Sequence, residues 1–116
     1  MKALRILIVD DDALISGLLA EALETEGHVV CGIEATESGT VSAAGRERPD
    51  LIIIDVTLAT GDGVRAIEQI HRTGPVPHVL ISGKRVSSGY EVLLKPFHIA
   101  DLLVAMDRAL APAGIG

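Results

Sequence analysis

The sequence predicts an α/β fold, a doubly wound parallel sheet of five strands, and three observations carry that expectation. Short apolar runs recur at intervals that leave room for a helix or a turn between them, and those at residues 4–9 and 51–54 are aliphatic almost throughout. Unbroken runs of this kind mark strands buried on both faces, which is the condition of a parallel sheet covered by helices on both sides. The third observation is where the chemistry falls. Asp10-Asp11-Asp12 ends one run, Asp55 ends a second, Ser82 a third, and Lys95-Pro96 follows a fourth. In an open α/β sheet the strand C-termini share one edge, so these side chains converge on one crevice.

Each element follows from local pattern. Residues 4–9 form the first strand, interrupted only by Arg5. A helix follows through Ile15, Leu19, Ala22 and Leu23 at helical spacing, with Asp11 or Asp12 able to cap its first turn and Gly27 its last. Residues 28–33 read as a second strand, and residues 35–48 as a small-residue helix carrying Gly39 and Gly45 and stopped by Pro49. Residues 51–54 are the third strand, and Asp62-Gly63 opens a helix through Ile67, Ile70 and His71 that Gly74-Pro75 closes. Residues 79–81 are the fourth strand and residues 91–94 a short fifth. Between them Gly83, Ser87, Ser88 and Gly89 leave a helix shortened or missing. The last helix places Ile99, Leu102, Leu103, Met106 and Leu110 on one face and stops at Ala111-Pro112.

Composition narrows the function. A chain of 116 residues, 48% hydrophobic and 22% charged, fits one globular domain over residues 1–116 with no output domain. A formal charge of −6 and 2% aromatic residues supply neither the basic footprint nor the stacking platform of a nucleic-acid binder. The start of the chain lacks a signal peptide's apolar core and no apolar run reaches membrane-spanning length, so a cytoplasmic location without membrane contact is expected. Cys31, the single cysteine, has apolar neighbours and reads as a buried structural thiol. His28, His71, His78 and His98 share no metal-ligand spacing and read as structural.

The acids call for a cation. Two carboxylates at ~4 Å repel by about 4 kcal/mol at an effective dielectric of ~20, so Asp10, Asp11 and Asp55 need either a neutralising ion or raised pKa values. Hard oxygen donors in a small site favour Mg²⁺. Taken singly, Asp10-Asp11-Asp12 is a helix cap, Asp55 a strand-end acid, Ser82 a turn residue and Lys95 a solvated amine. Their joint occurrence on successive strand ends points to phosphoryl transfer.

Residues 6–12 (Ile-Leu-Ile-Val-Asp-Asp-Asp), residues 49–55 ending at Asp55 with Gly63 eight positions on, Ser82, and Leu94-Lys95-Pro96-Phe97 together resemble the response-regulator receiver domain of two-component signalling. The resemblance covers essentially the whole chain. It implies a flavodoxin-like (βα)5 fold and a stand-alone response regulator, a monomer, in which Asp55 accepts a phosphoryl group from a sensor histidine kinase or a phosphotransfer protein. It further implies that Asp10, Asp11, Asp55 and the backbone carbonyl of Thr57 hold Mg²⁺, that Ser82 hydrogen-bonds the phosphoryl group and that Lys95 pairs with it. The domain would catalyse only its own phosphorylation and dephosphorylation. A cis Lys95-Pro96 peptide is also expected.

Departures from the family pattern carry information. Ala59 stands where the loop after the acceptor usually has proline, and Val92 where the usual aromatic switch lies, with Tyr90 two positions earlier. Ser82-Gly83 before a truncated segment resembles a subgroup known by its motif as FATGUY, which lacks that switch and works with HWE-type histidine kinases; Leu80 and Ile81 replace its Phe and Ala. Leu14 and Leu18 widen the apolar face of the first helix beside the crevice, as either core or a docking face for a kinase helix. An alternative reading from a different class is a haloacid-dehalogenase-type phosphatase, because Asp10-Asp11-Asp12 also approximates its Asp-x-Asp loop, with Asp10 as nucleophile. That reading leaves Asp55 without a role.

Overall fold

The structure, a computed structural model, describes residues 2–86 and 89–111. Its elements are β1 (Arg5–Val9), α1 (Ala13–Thr25), β2 (Val29–Glu34), α2 (Glu37–Glu47), β3 (Leu51–Asp55), α3 (Gly63–His71), β4 (His78–Ser82), β5 (Val92–Leu94) and α4 (Ile99–Leu110). The five strands form one parallel sheet in the order β2-β1-β3-β4-β5. Because the chain leaves β1 for β2 on one side and reaches β3 on the other, a crevice opens at the C-terminal ends of β1 and β3, where the strand order reverses.

Alternate residues of the central strands pack to opposite faces, as a period of two requires. Ile6 and Ile8 of β1 and Leu51 and Ile53 of β3 meet Leu19 and Leu23 of α1 and Leu102 and Met106 of α4. Leu7 and Val9, with Ile52 and Ile54, meet Ala43 and Ala44 of α2 and Ala66, Ile67 and Ile70 of α3. The small side chains of α2 bring its backbone close to the sheet, which explains a helix of weak apolar pattern in this position.

Element ends follow their caps. Asp12, not Asp11, caps α1, its Oδ1 accepting from the N–H groups of Leu14 and Ile15. Thr36 caps α2 through Gly39 N–H, so that helix starts two residues later than its composition suggests. Asp62 caps α3 through Val64 and Arg65. The β1–β2 register shifts between Ile6 and Leu7, which leaves Cys31 as the extra residue of a bulge on the edge strand. Its thiol is therefore half-buried rather than buried as the sequence suggests, and that burial still raises its pKa. Among the described residues no helix lies between β4 and β5; Ser87 and Ser88, which weigh in the expectation of a missing helix, lie outside them. Val86 instead packs against the α2–α3 face of the core. Leu14 and Leu18 are 70% and 58% exposed, so they are not core. No helix among the described residues is long and apolar enough to cross a membrane.

Candidate functional site

Asp10 directly follows β1 and is held at both ends. Its N–H donates to Glu34 O at 3.0 Å, and its Oδ1 accepts from Asp12 N–H at 2.9 Å. Asp55 is the last residue of β3, with its Oδ1 accepting from Thr57 N–H at 2.9 Å. Both are buried, while Asp11 is exposed at the mouth. One carboxylate oxygen from each of Asp10, Asp11 and Asp55 lies within 4.8 Å of the others. Lys95 enters from beyond β5, where its N–H donates to Ser82 O at 2.8 Å. Its Nζ donates to Asp10 Oδ2 at 2.7 Å and to Asp55 Oδ2 at 2.6 Å. Burial by itself would lower the Lys95 pKa, but the hydrogen bonds and charges of Asp10 and Asp55 outweigh it and hold the ammonium above its usual value. The Lys95-Pro96 peptide is cis, as expected.

The other anticipated residues are placed less directly. Ser82 ends β4, buried, but its hydroxyl donates to Lys84 O at 2.6 Å and accepts from Lys84 N–H at 3.2 Å, so it is engaged with its own loop rather than with the acids. Thr57 is exposed and paired across the loop with Asp62 in an antiparallel bridge. Gly63 has a plain steric reason: a Cβ there would collide with the Asp55 carbonyl, while its N–H donates to Val56 O at 2.9 Å. Glu37 of α2, which the sequence does not single out, binds the loop after Asp55 by accepting from Asp62 N–H, and is itself held by Gln69 of α3. Partners 25 and 32 residues away leave no local pattern to find.

The donor set suits a small hard cation. Three carboxylates offer oxygen ligands, and because Lys95 and backbone N–H groups take part of the lone-pair capacity of Asp10 and Asp55, an ion here would keep several waters, as Mg²⁺ does. None of the four histidines belongs to this cluster. His28 Nδ1 accepts from Leu4 N–H, His71 and His78 contact Val76 O, and His98 precedes α4 as its N-cap.

The fold and site define a doubly wound α/β domain with paired acids and a lysine at its switch point. The chain belongs to the response regulator receiver domain family, which it matches over residues 6–107. Among curated relatives, the transcriptional regulatory protein PdtaR of Mycobacterium tuberculosis is 34% identical over 116 residues, covering 92% of this chain and 57% of that protein. The phyllosphere-induced regulator PhyR of Methylorubrum extorquens is 32% identical over 118 residues, covering 93% of this chain and 44% of that one. The chain thus spans about half the length of the curated relatives it matches. Among solved structures, the receiver domain of Erythrobacter litoralis PhyR superposes with a TM-score of 0.82 at 28% identity, covering 99% of this chain and 98% of that one. Receiver domains pair with histidine kinases or phosphotransfer proteins and bind Mg²⁺ at an acidic pocket, and the Asp10, Asp11 and Asp55 cluster stands at the corresponding place. The alternative reading, a phosphatase using Asp10 as nucleophile, finds no support: family membership lies elsewhere, and Asp10 is buried with both oxygens engaged.

Proposed function

We propose that this domain is a phosphoacceptor switch in which Asp55 takes a phosphoryl group from a phosphohistidine on a sensor histidine kinase or phosphotransfer protein, in a Mg²⁺-dependent reaction. The observation that carries this reading is the Lys95 ammonium shared between the buried carboxylates of Asp10 and Asp55. An Asp55 carboxylate oxygen attacks phosphorus as the P–N bond breaks. The bonding pair goes to the imidazole nitrogen, and the ring leaves neutral because its other nitrogen already carries a proton. Asp10, Asp11, Asp55 and the Thr57 carbonyl would hold Mg²⁺, which when bound neutralises charge on the transferring oxygens. Lys95 offers a second positive charge; pairing with the phosphoryl group requires its Nζ to leave Asp55 Oδ2. Ser82 must likewise exchange its bond to Lys84 O for one to a phosphoryl oxygen, which makes its hydroxyl a two-position element.

The partner would be an HWE-type kinase, since the β4–β5 connection without a helix among its described residues supports the FATGUY-type reading. The exposed Leu14 and Leu18 of α1, beside the crevice, are the surface proposed for its docking. A cytoplasmic monomer fits this role. The test is mass mapping after incubation with acetyl phosphate and Mg²⁺. Modification is expected on Asp55, absent from Asp55→Asn and absent with chelator. Modification of Asp10 in the Asp55→Asn variant would overturn the reading.

A further inference from the structure

The loop between β3 and α3, residues 56–62, begins at Asp55 and carries Thr57. Its far end is held by α2. Glu37 N–H donates to Thr60 O at 3.0 Å, Glu37 Oε1 accepts from Asp62 N–H at 2.9 Å, and Glu37 Oε2 accepts from Gln69 Nε2 at 2.6 Å. Thr36 and Thr60 add a parallel bridge beside these bonds. Between the two gripped residues, Gly61 takes φ +94° and lies so close that a Cβ would meet the Glu37 side chain. Asp62 is in turn bridged to Thr57, whose N–H holds Asp55 Oδ1 at 2.9 Å. The half-buried Glu37 carboxylate is thus connected to the acceptor through two backbone links, and its own bonds lead to the loop and α3 rather than to the acids.

We infer that Glu37 is a positioning residue for the acid cluster: its carboxylate clamps the β3–α3 loop and so sets the Thr57 backbone and the orientation of the Asp55 carboxylate. The role assigned to Thr57 rests on the phosphoacceptor reading, whereas the clamp is a property of the fold. Groups that orient metal ligands from behind tune affinity, and losing one typically costs about 10-fold or more in metal binding. Gln at this position keeps the clamp. Its Oε1 accepts from Asp62 N–H while its amide donates to Gln69 Oε1, once the Gln69 amide reverses.

The test compares the full chain with Glu37→Ala, Glu37→Gln and Gln69→Glu, the last setting a second carboxylate against Glu37 to push it out of place. Amide exchange without metal and Mg²⁺ titration followed by amide chemical shifts are the two readouts, and neither needs phosphorylation. Glu37→Ala and Gln69→Glu are expected to speed exchange at Thr57 and Asp62 and to weaken Mg²⁺ binding about 10-fold, with Glu37→Gln within about twofold of the parent. A fall in thermal midpoint with Thr57 exchange and Mg²⁺ affinity unchanged would make Glu37 merely structural and overturn the inference. Should Glu37→Ala not fold, Gln69→Glu decides by the same two readouts. Acetyl phosphate labelling of the parent is run alongside. Absence of label on Asp55 would sink the phosphoacceptor reading alone, whereas normal label with an unmoved Gln69→Glu would sink the clamp alone.

Discussion

Asp10 and Asp55 depend on one side chain for their neutralisation within the described protein, the Lys95 ammonium at 2.7 and 2.6 Å. Lys95→Met keeps the apolar stem but strands two buried carboxylates, and breaking such a pair costs on the order of 3 kcal/mol. The loss should be largest in chelator and partly restored by Mg²⁺, because an ion that binds only the folded state stabilises it by an amount that grows with the logarithm of its concentration above Kd. Urea melts with and without Mg²⁺ measure both effects, and an unchanged midpoint in chelator would show that the pair contributes little. Gly63 makes a second prediction at this scale. With no room for a Cβ against the Asp55 carbonyl, Gly63→Ala must move either α3 or the end of β3, a strain of about 1–3 kcal/mol. Because the moved atom belongs to the backbone of Asp55, the proposed acceptor, Asp55 labelling should fall as well, which kinetics with acetyl phosphate would reveal.

Among the elements, β4 carries a titrating residue at its first position. Burial lowers the His78 pKa below the ordinary 6.5, with the Val76 carbonyl opposing and His71 adding to the shift. A folded-state pKa below the unfolded one means that the unfolded chain binds more protons as pH falls through 6.5. The His78 contribution is therefore fully present above that value and is lost progressively as pH drops towards the folded pKa. His78→Phe, which retains a ring against Tyr90, should flatten this part of the stability profile; thermal melts across the window compare the two slopes. Equal slopes would mean that His78 protonates as easily folded as unfolded. The strands themselves were legible because Ile6 to Val9 and Leu51 to Ile54 are buried on both faces, and a run without polar interruption has few other places to go. Asp10, Asp55 and Lys95 were legible for the same reason, since each directly follows a strand or ends one. The Cys31 bulge and the start of α2 were not. Both are decided by pairing geometry, a register shift in one case and the Thr36 cap in the other, which hydrophobic pattern does not encode. The Ser82 bond to Lys84 O was invisible likewise, since a hydroxyl's partner is a rotamer choice.

At the scale of the whole molecule, the site and the β4–β5 connection are one system. Ser82 stands before the segment that joins β4 to β5 and Lys95 directly after β5, and Lys95 N–H donates to Ser82 O at 2.8 Å, so the two flanks are already stitched together through backbone. Gly83 and Gly89 give the segment high backbone entropy, and Gly89 sits at φ +77°, where a helix cannot run. In the described state Ser82 Oγ is spent on Lys84 O and Lys95 Nζ on the two acids. A phosphoryl group on Asp55 would draw both side chains to itself, releasing the Lys84 carbonyl and tying the residues that flank the connection and β5 to one anion. The expected consequence is ordering of the connection rather than rotation of a preformed helix. Beryllofluoride with Mg²⁺, as a phosphoryl mimic, should slow amide exchange at residues 83–86 and 89–91 relative to the resting protein. Ser82→Ala should remove most of that protection at the Gly83 end while leaving Mg²⁺ affinity intact, because Ser82 donates nothing to the acid cluster. Protection that appears equally in Ser82→Ala, or a connection as slow at rest as β4 itself, would mean that the phosphoryl signal leaves through another surface, with α1 and its exposed Leu14 and Leu18 the next place to look.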